Sequence, residues 1–129
     1  MAKTALELTP AEKMAYRLGA AIEQRQRVGD RRTDERWQQA QLLVRQAAKL
    51  LREEFGARRV CLFGSATHRP WFTRWSDIDL AVWGLPPERF YAAVAAVTNI
   101  SAEIAVDLVD AEQCSQVVRA AIERDGTDL

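Results

Sequence analysis

The sequence predicts a single domain of the α/β (α+β) class, in which helices pack on a small mixed β-sheet of about three strands. Apolar residues recur at helical spacing before Gly56, whereas short apolar runs of β type alternate with helical segments after it. A chain of 129 residues with 48% hydrophobic content suffices for one core and is short for two. We therefore expect one domain over 1–129, with N-terminal helices at 1–56 and a core at 57–129.

Two helices are expected in the N-terminal part. Thr9 can cap free amides, Pro10 suits the first helical turn and Glu12 completes a capping box, so a helix should run to about Arg27. Gly29 and the polar stretch 30–34 should break it. A second helix should then run to Gly56, with its charged residues on a solvated face. Its apolar face comprises Trp37, Ala40, Val44, Ala47, Leu51 and Phe55.

The core part is predicted to contain three strands and two helices. The strands are expected at 59–63, 77–83 and 103–109, and the helices at 88–97 and 111–124. The first strand ends at Gly64-Ser65, and Gly126 should end the last helix.

Composition excludes several classes of function. The 18 basic and 18 acidic side chains cancel, so direct nucleic-acid binding is not expected. Two cysteines without metal-ligand spacing fit a reducing cytoplasm, and no stretch has the roughly 20 apolar residues that span a bilayer. A single histidine makes both a zinc site and a Ser-His-Asp triad improbable. We expect a soluble cytoplasmic protein.

Three aspartates are the strongest chemical signal. In a strand, Asp77 and Asp79 project from one face about 6.7 Å apart along the chain. At about 5 Å and an effective dielectric near 20, two carboxylates repel by about 3 kcal/mol, which favours a cation between them. Asp107 is the one ionisable group within the apolar run 104–109 and is expected to be buried. If the second and third strands are neighbours, the three acids can bind Mg²⁺ together with substrate phosphates. The purely structural alternative is that Asp77 caps a turn, Asp79 faces solvent and Asp107 pairs with an arginine.

The loop between the first two strands offers further candidates. Gly64 permits close approach of a ligand to the backbone, and the Ser65 hydroxyl can bind phosphate oxygens, although Gly-Ser is also an ordinary turn. Arg69 is a candidate for binding the nucleotide phosphates or a partner. Trp71, Phe72 and Trp75 either fold onto the second helix or form an exposed apolar patch of the kind that meets a protein partner.

These segments resemble the minimal nucleotidyltransferase (MNT) family of the DNA-polymerase-β-like superfamily over roughly 58–126. The matching motifs are Val60-Cys61-Leu62-Phe63-Gly64-Ser65, Ser76-Asp77-Ile78-Asp79-Leu80-Ala81-Val82 and Val106-Asp107-Leu108-Val109. The stretch between Ser65 and Asp77 is slightly longer than is usual in the family, and Thr67-His68-Arg69-Pro70 replaces a glycine-containing turn.

The resemblance implies a polymerase-β-like nucleotidyltransferase core with a two-helix N-terminal extension. It further implies that Gly64 and Ser65 hold ATP, that Asp77 and Asp79 bind two Mg²⁺ ions, and that Asp107 shares the ion at the acceptor hydroxyl. Short members of the family resemble antitoxins that transfer AMP to a tyrosine of a HEPN-domain ribonuclease toxin, so a hetero-oligomer with such a toxin is expected. Two alternatives stay open: an antitoxin or scaffold that acts by binding alone, and a nucleotidyltransferase for a small molecule.

Overall fold

The computed structural model describes Pro10, Ala11, Met14 and residues 30–129. Pro10, Ala11 and Met14 are helical. The rest of the expected first helix, and the expected break at Gly29, lie outside the described residues.

Helix α1 spans Asp30–Glu53. The expected break over 30–34 is therefore wrong. This segment is stabilised as a helix because Thr33 is buried in the fold and Asp34 accepts a hydrogen bond from Arg69 of a later loop. The predicted apolar face is confirmed, since Trp37 and Phe55 are partly buried and the residues between them on that face are fully buried. The charged residues are exposed as predicted, namely Arg45, Lys49, Arg52, Glu53 and Glu54.

The sheet is mixed, as predicted, but it has four strands. They are β1 (Arg59–Phe63), β2 (Ile78–Trp83), β3 (Val106–Asp110) and β4 (Thr127–Asp128), in the order β3-β2-β1-β4. β1 is antiparallel to β2 and β4, whereas β2 and β3 are parallel. The fourth strand was not predicted because two residues carry no alternation pattern and pair only with the free edge of β1.

Short segments connect these strands. Two 3₁₀ helices, Gly64–Thr67 and Arg69–Trp71, lie between β1 and β2. Helix α2 (Pro87–Thr98) leads from β2 to β3, and helix α3 (Gln116–Asp125) leads from β3 to β4.

Three elements begin later than predicted, by one to five residues. β2 begins one residue later than predicted, leaving Asp77 just before it. β3 begins at Val106 and not at 103, because the Ser101 hydroxyl accepts hydrogen bonds from the Glu103 and Ile104 amides and forms a turn there. Helix α3 begins after residues 111–114, where the Ser115 hydroxyl accepts from the Val118 amide and caps the helix.

The sheet separates two apolar layers. α1 and α2 pack on one face, against buried side chains that alternate along the strands: Val60, Leu62, Ile78, Leu80, Val82, Val106 and Leu108. α3 covers part of the other face, where Cys61, Ala81, Ala111 and Ile122 form a smaller cluster. Among the residues described, no helix combines the length and apolar content needed to cross a membrane.

Candidate functional site

Two of the three predicted acids lie on neighbouring parallel strands, and the third lies just before one of them. Asp79 of β2 is directly opposite Asp107 of β3, and Asp77 immediately precedes β2. Ile78 and Leu80 are fully buried among the helices, so Asp79 between them projects from the opposite face of the sheet. The second and third strands are neighbours, which is the condition under which the three acids were expected to form one metal site. We call Asp77, Asp79 and Asp107 the acidic edge.

Asp79 is the central residue of this edge. Burial raises the pKa of its carboxyl group, and the negative charges of Asp107 and Asp77 raise that pKa further. Within residues 30–129, no arginine, lysine or histidine forms an ion pair with any of the three acids. The mutual repulsion is thus not relieved by a cationic side chain of the described chain, and a cation from outside would relieve it.

Asp107 departs from its expected environment. Its side chain is exposed, so the prediction of a buried lone carboxylate is wrong. β3 lies at one end of the strand order and its residues alternate, with Val106 and Leu108 buried while Asp107 faces outward. The structural alternative also fails, because Asp79 is half-buried and Asp107 has no arginine partner among the described residues.

Gly64 lies directly against the acidic edge. β1 pairs with β2 so that Phe63 is opposite Asp79, and Gly64 follows with a φ of +78°. A Cβ atom at Gly64 would lie 2.5 Å from Asp79 Oδ2, so the Asp79 carboxylate would have to move to admit it. The backbone angle favours glycine here, and a side chain would also displace the carboxylate.

The loop that follows is held by short hydrogen bonds. Thr67 Oγ1 donates to the Gly64 carbonyl at 2.7 Å, and Gln41 Nε2 of α1 donates to the Ala66 carbonyl at 3.2 Å. Ser65, between them, is half-buried. Of the three predicted nucleotide-binding residues, Gly64 therefore lies beside Asp79, and Ser65 follows it in a loop held by these hydrogen bonds.

Arg69 is directed toward α1. Its Nε donates to Asp34 Oδ1 at 2.9 Å, and its Nη2 contacts the same oxygen. The role of Arg69 in binding nucleotide stays a prediction, since its guanidinium already binds a carboxylate of the chain.

The aromatic loop satisfies both interpretations in part. Phe72 is buried and packs edge-on against Trp37 of α1, with ring centroids 5.3 Å apart. Trp71 and Trp75 are 43% and 67% exposed, and His68 stacks on Trp71 at 4.4 Å. One aromatic residue therefore anchors the loop, and two tryptophans remain on the surface close to Asp77 in sequence.

Arg36 was not predicted as a site residue, yet it contacts the segments leading into both acidic strands. Its Nη2 donates to the Ser76 carbonyl at 3.1 Å, and its Nη1 donates to the Glu103 carbonyl at 3.3 Å. The sequence contains a signal for it, because Arg36 lies four residues before Ala40 and so falls on the buried stripe of α1. An arginine on an apolar stripe indicates a buried polar contact.

The acidic edge fits Mg²⁺ as part of a shared site. No three His, Cys, Asp or Glu side chains among the described residues surround a common point closely enough to enclose a metal ion. Mg²⁺, however, is commonly bound by one or two carboxylates while phosphates and water complete its six oxygen ligands. The half-buried carboxylate of Asp79 and the exposed carboxylates of Asp77 and Asp107 are hard oxygen ligands of that kind.

Known structures resemble this chain, although no protein-family model and no curated protein matches it. A toxin–antitoxin crystal structure with AMP-PNP is 27% identical, with a TM-score of 0.55 over 66% of this chain and 70% of that chain. The toxin–antitoxin MntA–HepT is 26% identical, with a TM-score of 0.51 over 68% and 69% of the two chains. A complex of tri-AMPylated Shewanella oneidensis HEPN toxin with MNT antitoxin is 26% identical, with a TM-score of 0.52 over 69% and 70%.

These matches agree with the motifs and with the mixed sheet that carries them. In fold and in motif, the chain is similar to the minimal nucleotidyltransferase antitoxins that form pairs with HEPN toxins.

Proposed function

We propose that this chain is a Mg²⁺-dependent nucleotidyltransferase that acts as an antitoxin, transferring AMP from ATP to a tyrosine hydroxyl of a HEPN-domain toxin. The observation that carries the proposal is the acidic edge, with Asp79 opposite Asp107 and in contact with the Gly64 turn. A strand pair with only a structural role gains nothing from three acids that repel one another and that have no cationic partner within residues 30–129.

The similar structures support the choice of substrate and partner. One of them contains AMP-PNP, and another contains a HEPN toxin that carries three AMP groups. ATP as the nucleotide donor and a HEPN toxin as the partner are therefore the natural candidates for this chain.

Each residue of the site has a distinct part in this reaction. Asp77 and Asp79 would hold two Mg²⁺ ions, and Asp107 would share the one beside the acceptor. When bound, the ions stabilise the charge that develops around the α-phosphorus and lower the pKa of the attacking hydroxyl. Gly64 has no side chain to compete with Asp79 for space, and the Ser65 hydroxyl would donate to a phosphate oxygen.

The bonding changes define the products. The tyrosine oxygen forms a bond to the α-phosphorus while the bond from that phosphorus to the bridging oxygen of pyrophosphate breaks. The hydroxyl proton passes to solvent, and the products are pyrophosphate and a partner with AMP on its tyrosine. Positioning accounts for most of the catalysis, so the carboxylates must be held rigidly.

Transfer can be tested with the purified chain, a HEPN toxin encoded beside it and ATP labelled at the α-phosphorus. We expect Mg²⁺-dependent label on a toxin tyrosine, and Asp107→Asn should lower the rate by about 100-fold or more. Asp128→Asn is the matched control, because it removes a carboxylate whose partner is Arg59 on the β1–β4 pair. It should transfer at the parental rate.

Two results would contradict the proposal. Label that appears only on a small molecule would assign the chain to small-molecule modification. Equal rates for Asp107→Asn and Asp128→Asn would show that the acidic edge does not serve transfer.

A further inference from the structure

Arg36 lies where the parallel pair of β2 and β3 begins. The amide of Ile78, the first residue of β2, donates to the carbonyl of Ala105, which immediately precedes β3, at 2.9 Å. The Ser76 and Glu103 carbonyls lie further upstream, and Arg36 donates to both of them at 3.1 and 3.3 Å. A single guanidinium thus joins the two chain segments upstream of the first hydrogen bond between β2 and the segment leading into β3.

This arrangement depends on the shape of arginine. The guanidinium presents several N–H donors in a planar, rigid fork, so one side chain can serve two carbonyls that belong to different segments. A lysine ammonium is a compact point charge on a flexible stem and does not reproduce that fork.

Packing alone does not explain an arginine at this position. Arg36 Nε is buried and finds no hydrogen-bond acceptor among the described residues. A buried donor without an acceptor is unfavourable, and the buried stripe of α1 would favour an apolar residue if filling space were the whole task. The two carbonyl contacts are the evident compensation.

Neighbouring contacts fasten the same segments to α1. Gln39 Nε2 donates to Glu103 Oε2 at 3.2 Å, close to the Arg36 contact with the Glu103 carbonyl. On the other side, the Ser76 hydroxyl accepts from the Thr73 amide at 2.8 Å and tightens the turn that precedes Asp77. The Ser76 carbonyl is therefore a fixed point for the guanidinium.

We propose that Arg36 is a positioning residue of the acidic edge: by bridging Ser76 and Glu103, it sets the backbone that places Asp77, and the register that places Asp79 opposite Asp107. Arg36 touches neither metal nor nucleotide in this account. The link to metal and nucleotide binding rests on the proposed function, whereas the bridging of the two segments does not.

The test compares Arg36→Met with Arg31→Met. Both replace an arginine of α1, but the Arg31 side chain is 93% exposed, and within residues 30–129 its one polar partner is Glu35, one turn away. Mn²⁺ is titrated into the protein in the presence of AMP-PNP, and its binding is measured by calorimetry. Mn²⁺ should bind about tenfold more weakly to Arg36→Met than to Arg31→Met. Hydrogen exchange in 73–79 and 101–107 should be faster in Arg36→Met alone.

Arg36→Lys guards against a variant that fails to fold, because it keeps the charge and most of the stem. It should fold, exchange faster than the parent in the same two segments and recover only part of the Mn²⁺ affinity. Full recovery by lysine would overturn the forked-bridge account.

The outcomes separate this proposal from the proposed function. If Arg36→Met matches Arg31→Met both in Mn²⁺ affinity and in exchange, the positioning role is wrong even when the parent transfers AMP. If the parent neither binds Mn²⁺ with AMP-PNP nor transfers AMP, the proposed function fails. Faster hydrogen exchange of Arg36→Met, confined to 73–79 and 101–107, would still support the bridge. Unchanged exchange would then overturn the bridge as well.

Discussion

Asp79 carries the main electrostatic cost of this site. It is half-buried, it lies between two other carboxylates, and the Gly64 backbone lies so close that a Cβ there would meet its Oδ2. Burial and the charges of Asp107 and Asp77 raise the pKa of its carboxyl group. In the absence of a cation, its charged form is therefore less stable than that of an exposed aspartate. The same features suit a carboxylate that binds a cation supplied with the substrate.

Removing the charge of Asp79 should therefore stabilise the metal-free protein. Asp79→Asn keeps the side-chain volume and removes one member of the repelling group, so we expect the Tm at neutral pH in EDTA to rise by roughly 2 °C. Adding Mg²⁺ with AMP-PNP should raise the Tm of the parent and leave that of the variant unchanged. Thermal melts of the parent, Asp79→Asn and Asp128→Asn decide this, and a variant less stable than the parent in EDTA would refute the repulsion argument.

At the scale of elements, α1 supports the loop between β1 and β2. Asp34 binds Arg69, Trp37 packs on Phe72, and Gln41 donates to the Ala66 carbonyl. The loop contains two turns of 3₁₀ helix and no regular ladder of its own. Its conformation therefore depends on a helix that lies outside the Gly-Ser and aspartate motifs.

The aromatic residues of this loop should differ sharply in their contribution to stability. Phe72→Ala empties a fully buried site against Trp37 and should lower the free energy of unfolding by about 3–5 kcal/mol. Trp75→Ala removes a side chain that is 67% exposed and should cost roughly 0.5 kcal/mol or less. Urea denaturation of the two variants measures both values. Comparable losses would mean that the indole of Trp75 is also part of the packed structure.

The sequence predicts those parts of the fold that local pattern determines. β1 and β2 are apolar runs ended by glycines, so the positions of these two strands were predicted closely. The buried face of α1 was also predicted, because it follows from helical spacing. The two residues of β4 are strand only because the edge of β1 accepts them. Asp107 was expected to be buried because its neighbours are apolar, but at the end of the strand order alternation leaves its side chain exposed.

In the site, too, local sequence pattern predicts some residues and not others. Asp77, Asp79, Asp107, Gly64 and Ser65 are recognisable because their residue types and spacing carry chemistry. Arg36 acts through backbone carbonyls that lie 40 and 67 residues away in sequence, and no local pattern encodes such a contact. Only its position on the apolar stripe of a helix indicates that it has a buried partner.

At the scale of the whole molecule, the two faces of the sheet have different roles. One face holds the main core beneath α1 and α2, while the other presents the acidic edge beside a smaller cluster under α3. The chain carries no net charge, so attraction to a partner depends on local features. Among those features are the exposed side chains of Trp71 and Trp75, which are close in sequence to Asp77.

This arrangement allows catalysis to be separated from occupancy. Asp77→Asn combined with Asp79→Asn removes two charges at constant volume, so the surface offered to a HEPN toxin and the affinity for it should stay within about threefold of the parent. Transfer of AMP should fall by about three orders of magnitude or more, because both ligands at the nucleotide are lost. If transfer is the means of neutralisation, cells that express the toxin should grow with the parent and die with the double variant. The test is to measure toxin affinity, transfer of labelled AMP and cell survival side by side for the parent and the double variant. If cells survive with the double variant although it transfers no AMP, binding alone neutralises the toxin.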